Sequence, residues 1–216
     1  IDKYGKVGIG TDVAGAKIHI KVNNSNTSIT DGMGSAQSLN GILIQNENST
    51  VNSHAALDFR CGSGDFRIAN VCKGTNNSNL AFISDNGSPS EIVTFQYDGN
   101  VGIGTTSPTA KLQIHNASDN CEVKITHGND SKYARLSIMG TNSQGTGDLY
   151  VGQSSLYGGG MIYQGDGTPS PISGTGNGDH ISFYRVNNGT KTGVFGYMYD
   201  SDDVWFRGKI GVGTSF

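Results

Sequence analysis

The sequence predicts an all-β protein built from tandem, β-sandwich-like modules, and three observations carry that expectation. First, no stretch of eleven or so residues sets apolar side chains at helical spacing, whereas short alternating runs recur about every 8 to 15 residues. Second, the runs are separated by clusters of Gly, Asn, Asp and Ser, which accept positive φ or hydrogen-bond their own backbone in turns. Third, one glycine-rich stretch occurs three times, as Gly5-Lys6-Val7-Gly8-Ile9-Gly10-Thr11, Gly99-Asn100-Val101-Gly102-Ile103-Gly104-Thr105 and Gly208-Lys209-Ile210-Gly211-Val212-Gly213-Thr214. The copies are 94 and 109 residues apart, which is domain spacing rather than the rung of a solenoid.

In an extended conformation the repeat puts Val101 and Ile103 on one face and leaves the other face as bare glycine backbone. Alternating glycines weaken a strand and mark close approach of another backbone or a bend. After the first copy, Lys17-Ile18-His19-Ile20-Lys21-Val22 alternates like a half-buried strand, and Lys111-Leu112-Gln113-Ile114-His115 does so after the second. Further strands are expected at 42–45, 55–61, 66–71, 80–84 and 91–97 in the first module. In the second they are expected at 121–126, 133–139, 148–151, 160–163, 180–186, 193–199 and 203–207. The organisation that follows is module 1 over 1–97, module 2 over 98–207 and the start of a third repeat over 208–216. Residues 165–178, rich in Gly with Pro169 and Pro171, form an expected long loop in module 2.

Composition narrows the partners. Glycine supplies 33 of 216 residues, charged residues only 15%, and the formal net charge is −3. With no basic stripe, nucleic acid is not an expected partner; with no apolar run near 20 residues, neither is membrane insertion. The chain starts and stops within repeat copies and lacks an initiator Met, so it reads as an excerpt of a longer protein. Cys61, Cys72 and Cys121 show no C-x-x-C spacing; a Cys61–Cys72 bridge across a hairpin is the less favoured reading, isolated thiols the favoured one.

The motif Asp98-Gly99-Asn100-Val101-Gly102-Ile103-Gly104-Thr105-Thr106-Ser107-Pro108, followed by Ala110-Lys111-Leu112, closely resembles a segment repeated in bacteriophage tail-fibre and tailspike proteins. Similar segments occur in attachment proteins of large viruses and in predicted bacterial surface proteins, often upstream of a self-cleaving intramolecular chaperone domain. The likeness is specific over 98–114 and weaker over 5–20, where Asp12-Val13-Ala14-Gly15 stands in place of the Thr-Ser-Pro connector. It implies part of a homotrimeric fibre used in host attachment.

No catalytic chemistry is expected. Gly102-x-Gly104 lacks the third glycine and following helix of a dinucleotide loop, and no P-loop, G-x-S-x-G or H-E-x-x-H motif exists. Most carboxylates sit in turn dipeptides such as Asp31-Gly32 and Asp98-Gly99; Asp200-Ser201-Asp202-Asp203 is dense but reads as a hairpin turn before a calcium loop. His19 and His115 follow equivalent strands and read as solvent-facing. The expected function is a non-enzymatic structural and receptor-binding fibre segment on the virion surface, with no cofactor and no metal. Its partners would be further copies of itself and a host-surface glycan or protein receptor. The alternatives are a bacterial cell-surface or secreted adhesin of the same modules, and a glycan depolymerase, which would need two acids a few ångströms apart. Assembly is assigned to Val7, Ile9, Val101, Ile103, Ile210 and Val212. Phe195, Tyr197 and Tyr199 would share one strand face, and Tyr197, Tyr199 and Trp205 are the glycan-binding candidates, with core or trimer packing as the favoured role for such aromatics.

Overall fold

A computed structural model describes residues 1, 3–21, 42–85, 87–128, 132–140, 146–165, 179–198 and 202–208. Those residues are all-β, with no helix among them. Two compact units divide the chain at Ile1–Val123 and Lys124–Phe216. The boundary therefore lies beyond the expected 97/98 junction, because the second glycine ribbon closes the sheet before it instead of opening the one after.

In the first unit, β1 (Val7–Ile9) and β2 (Ile18–Ile20) form a two-stranded parallel sheet. A six-stranded sheet follows in the order β3 (His54–Cys61), β4 (Gly64–Gly74), β5 (Asn77–Asp85), β6 (Ser90–Phe95), β7 (Val101–Ile103) and β8 (Leu112–Ile114). It is an antiparallel meander through β7 and parallel only at β7–β8. Short polar turns make this possible: Asn76 and Gly62 take positive φ between antiparallel neighbours, as two-residue hairpins require.

The second unit holds one antiparallel sheet in the order β13-β12-β11-β10-β9, formed by β9 (Gly147–Ser154), β10 (Tyr157–Gln164), β11 (His180–Asn187), β12 (Thr190–Met198) and β13 (Val204–Phe206). Its buried apolar cluster is small, comprising Ile162, Tyr184 and Val186. Tyr150 and Tyr184 stack at 6.4 Å over the glycines of β10; a Cβ at Gly158 would strike the Tyr150 hydroxyl, and one at Gly160 the carbonyl of Leu149. Glycine thus makes room for aromatic bulk in a sheet short of aliphatic residues.

Three strand-like segments differ from expectation. Residues 42–49, 121–127 and 132–140 are described and wholly exposed, yet none joins a ladder. At 42–49 the physical reason is local. Asn46 and Asn48 accept from the backbone N–H groups of Asn48 and Thr50, Asn52 has φ of 73°, and Ser53 Oγ donates to Asn48 O. These Asx turns steer the chain off β3 rather than back along it. The three cysteines are free, so the Cys61–Cys72 bridge is absent. The long-loop call falls almost entirely on residues 166–178, outside the described residues.

Candidate assembly surface

The two described ribbons are one local structure built twice, position by position over 5–21 and 99–115. Val7 N–H donates to Lys17 O at 2.8 Å and Lys21 N–H to Ile9 O at 2.8 Å; Val101 N–H donates to Lys111 O and His115 N–H to Ile103 O, both at 2.9 Å. Lys17 Nζ reaches the Tyr4 carbonyl at 2.9 Å, and Lys111 Nζ reaches that of Asp98 at 2.8 Å. Each lysine passes beside the positive-φ glycine that opens its copy, Gly5 or Gly99. In the connectors, Thr11 Oγ1 accepts from Val13 N and Thr105 Oγ1 from Ser107 N, while Ala14 and Pro108 are both buried.

Glycine is required here for two separate reasons. A Cβ on Gly8 would lie 2.5 Å from Thr11 O, and one on Gly102 closer still to Thr105 O, because the connector folds back over that face. Gly10 and Gly104 take φ of 71° and 72° and would press a Cβ onto the carbonyls of Lys21 and His115. The register pairs Gly8 with His19 and Gly102 with Gln113. His19 Nδ1 accepts from Gly15 N at 3.1 Å, and Gln113 Oε1 from Thr109 N at 2.9 Å. The equivalent of His19 is therefore Gln113; His115 corresponds to Lys21. Sequence reading missed this because it compared strands rather than offsets; shifting the chain on itself by the repeat spacing shows the match.

On the opposite side of the ribbon every side chain is apolar. In the six-stranded sheet the register aligns Leu57, Ile68, Phe82, Val93, Ile103 and Ile114 in one row. A second row on that face includes Leu80, Phe95, Val101 and Leu112. Phe82 sits 6.2 Å from Phe66 and 5.9 Å from Phe95, ring centre to ring centre. Ile68, Phe82, Val93 and Val101 are half-buried, while the others are exposed, from 36% at Ile114 to 60% at Leu112. Val101 and Ile103 thus stand within a continuous apolar face, and Val7 and Ile9 pair with Ile18 and Ile20 on the corresponding face of the first ribbon. Ile210 and Val212 lie outside the described residues.

The other face of this sheet is polar at its edge and tight at its centre. Ala69, Ala81 and Thr94 are essentially fully buried, and Thr94 Oγ1 donates to the Glu91 carboxylate. Towards β3 the cross-strand partners are ion pairs: Asp58 meets Arg67 at 2.5 Å and Asp65 meets Arg60 at 2.7 Å, each through two hydrogen bonds. The guanidinium beside each carboxyl holds Asp58 and Asp65 below the usual carboxylate range. With Ile83 and Asp85 these four residues line a groove of about 420 Å³.

In the second unit the register again collects apolar residues on one face: Leu149, Val151, Met161, Phe183, Phe195, Tyr197, Val204 and Phe206. Phe183, Phe195 and Phe206 stack across three strands with ring centres 4.4 and 5.8 Å apart. Phe195, at the centre of the stack, is half-buried, and exposure of the others runs from 40% at Phe183 to 71% at Val151. The opposite face carries Tyr184, whose hydroxyl donates to Asp148 at 2.7 Å; Lys191 Nζ meets the same carboxylate at 2.6 Å and lies 4.8 Å above the Tyr184 ring centre. Burial first, and then the bond to Asp148, raise the Tyr184 hydroxyl well above its ordinary pKa.

Of the glycan-binding candidates, the two described residues, Tyr197 and Trp205, stand on opposite faces of the sheet. Tyr197 pairs with Val204 on the exposed apolar face, whereas Trp205 pairs with Gly196 on the other face, edge-on to His180 at 6.5 Å with its Nε1 buried. Tyr199 lies outside the described residues, as do Asp200 and Ser201 of the acidic cluster. Among the described residues no group of three or more His, Cys, Asp or Glu is arranged to hold a metal, and no helix is long and apolar enough to cross a membrane. A scan against protein-family models found none that matches the chain, and a search of curated proteins found no match.

Proposed function

We propose that this chain is a structural, receptor-presenting segment of a homotrimeric viral fibre that serves host attachment from the virion surface. The observation that carries the proposal is the pair of broad apolar sheet faces left open to solvent in a single chain. Monomeric soluble proteins rarely expose such contiguous faces, and the residues concerned are those a domain would use as its core. Leu57, Leu80, Phe95, Ile103, Leu112 and Ile114 of the first face, joined by Phe59 opposite Phe66, are each 36–60% exposed and offer several hundred Å² per chain, on the order of the ~800 Å² per partner of a standard interface. Facing sheets from neighbouring copies would supply the second layer, so the sandwich-like packing forms between chains. The unladdered segments 42–49, 121–127 and 132–140 fit the same reading as strands awaiting partners.

With the apolar faces turned inward, the Asp58–Arg67 and Arg60–Asp65 groove faces outward and is the surface offered to a glycan or protein receptor. Two of its carboxylates, Asp58 and Asp65, are engaged by arginines, and Asp85 accepts from the backbone N–H of Gly87, which supports a binding role over acid–base catalysis. The resemblance of residues 98–114 to phage fibre repeats supplies the viral setting.

Light scattering after size exclusion tests the assembly: the expected mass is about three times the 22.7 kDa chain. The double variant Val101→Asp, Ile103→Asp is expected to run as a monomer. A wild-type monomer, or a trimer indifferent to both substitutions, overturns the assignment of this face.

A further inference from the structure

We infer that the second sheet holds a buried water between Ser182 on β11 and Trp205 on β13, across Gly196, and that this guest fastens the edge strand β13 to the sheet. The register sets the three residues in one row, Ser182 opposite Gly196 and Gly196 opposite Trp205. Glycine in the middle leaves the row without a side chain at that point. A Cβ there would stand 3.0 Å from Ser182 Oγ, so the missing side chain makes the space in which the two polar groups can share a guest. Larger side chains wall the gap. Ile162 pairs with Ser182 from β10, His180 and Tyr184 flank it along β11, and the Trp205 indole stands edge-on to His180 at 6.5 Å. Ile162, His180 and Tyr184 are themselves buried.

Two polar atoms on this row are buried without a hydrogen-bond partner among the described residues. Ser182 has no exposed surface and its Oγ bonds to nothing; the Trp205 Nε1 is buried and bonds to nothing either. Buried polar groups are nearly always paired with protein or with ordered water, and leaving one unmet costs more than an ordinary hydrogen bond returns. The two groups define the guest. An indole N–H can only donate, whereas a hydroxyl both donates and accepts. The guest must therefore accept from Trp205, bond Ser182 in either sense, and be small enough for a gap that one glycine leaves; water meets all three conditions. The consequence reaches the other face of the sheet. Strand β13 is three residues long and pairs with β12 alone. Trp205 is its one side chain on the covered face, while Val204 and Phe206 take the other, where Phe206 stacks on Phe195. Water held at Ser182 thus fixes Trp205, and with it the end of the phenylalanine stack. This inference stands on the geometry of the second unit and does not rest on the fibre reading.

The chain has a single tryptophan, so its indole N–H gives one magnetic-resonance signal without assignment. Laboratory-frame and rotating-frame Overhauser spectra of the isotope-labelled full chain are expected to show a cross-peak between that proton and water, with the relative sign of a long-resident water; the rotating-frame sign separates it from proton exchange. Ser182→Ala removes one of the two anchors and is expected to abolish the cross-peak and shift the indole signal, while the amide spectrum keeps its dispersion. Should that variant not fold, Ser182→Cys, whose thiol accepts only weakly, carries the same comparison. The inference is overturned if the unmodified chain shows no bound-water cross-peak at the indole proton. It is equally overturned if the cross-peak persists unchanged in a folded Ser182 variant, since the guest is then not held by that hydroxyl.

Discussion

Gly104 combines a left-handed φ with a backbone carbonyl where its Cβ would be, and the two costs add. Gly104→Ala is expected to destabilise the ribbon by about 2–3 kcal/mol. Gly62 has a similar φ of 64° but open space around its missing Cβ, so Gly62→Ala is expected to cost only about 1 kcal/mol. Paired chemical denaturation curves of the two variants check the difference; equal losses would mean that the carbonyl contact yields freely. Ionisable residues make a second prediction. Tyr184 has its folded pKa raised, so the neutral phenol is favoured in the folded state, and its contribution is complete below about pH 10 and lost as pH rises beyond that. Wild type is therefore expected to lose more stability than Tyr184→Phe between pH 9 and about 11 in thermal melts. Asp58 and Asp65 have lowered values, so their contribution is present above about pH 4 and disappears as acid titrates them through those values. Both are well exposed, so the acid effect is screened and small.

The ribbon is an unusual element because its strands are parallel although only Gly104 to Lys111 separate them. Parallel neighbours ordinarily need a crossover of about a dozen residues or more. The short connector closes because glycine on the adjoining strand lets it lie flat, a lysine ties the ribbon's entry, and the side chain paired with that glycine accepts a connector N–H. Position 113 is filled by Gln and its counterpart 19 by His, two acceptors of different shape in one role. Gln113→His is therefore expected to be tolerated, whereas Gln113→Ala leaves Thr109 N–H without its acceptor and is expected to cost about 1 kcal/mol. Differential scanning calorimetry of both variants decides it; a drop of equal size in each would show that the acceptor is immaterial. Strand irregularities act at this scale too. The shift between Phe82 and Ile83 keeps Phe82 opposite Val93 and Ile83 opposite Glu91, preserving the apolar row past a bulge.

For the whole molecule, the placement of apolar groups outweighs any single contact. The fully buried hydrophobic residues among those described are few and mostly small, while phenylalanines, leucines and isoleucines line open sheet faces. Completing the burial of such half-exposed side chains is worth roughly 1 kcal/mol each, on the order of 10 kcal/mol per chain over both faces. Thermal stability is therefore expected to depend on protein concentration, as in assemblies whose folded monomer is poorly stable. Phe195→Asp, which places a charge within the Phe183–Phe206 stack, is expected to weaken association through the second unit. Sedimentation over a hundredfold dilution series checks both; a melting temperature independent of concentration would assign the open faces some other cover.

The all-β class, the places of most strands and the one-sided apolar character of Val101-Gly102-Ile103 were legible in the sequence, because a period of two is a local property that each strand carries alone. So was the need for glycine at 102 and 104, though the neighbours that impose it, Thr105 O and His115 O, were not. Tertiary structure alone decided partners and register. It joined the second ribbon to the sheet before it, left 42–49, 121–127 and 132–140 without ladders, matched His19 with Gln113, and put Tyr197 and Trp205 on opposite faces. The physical reason is that pairing is non-local: alternation tells which side of its own strand a residue takes. Which strand lies alongside, and at what offset, depends on turns, bulges and backbone contacts made far away in the chain.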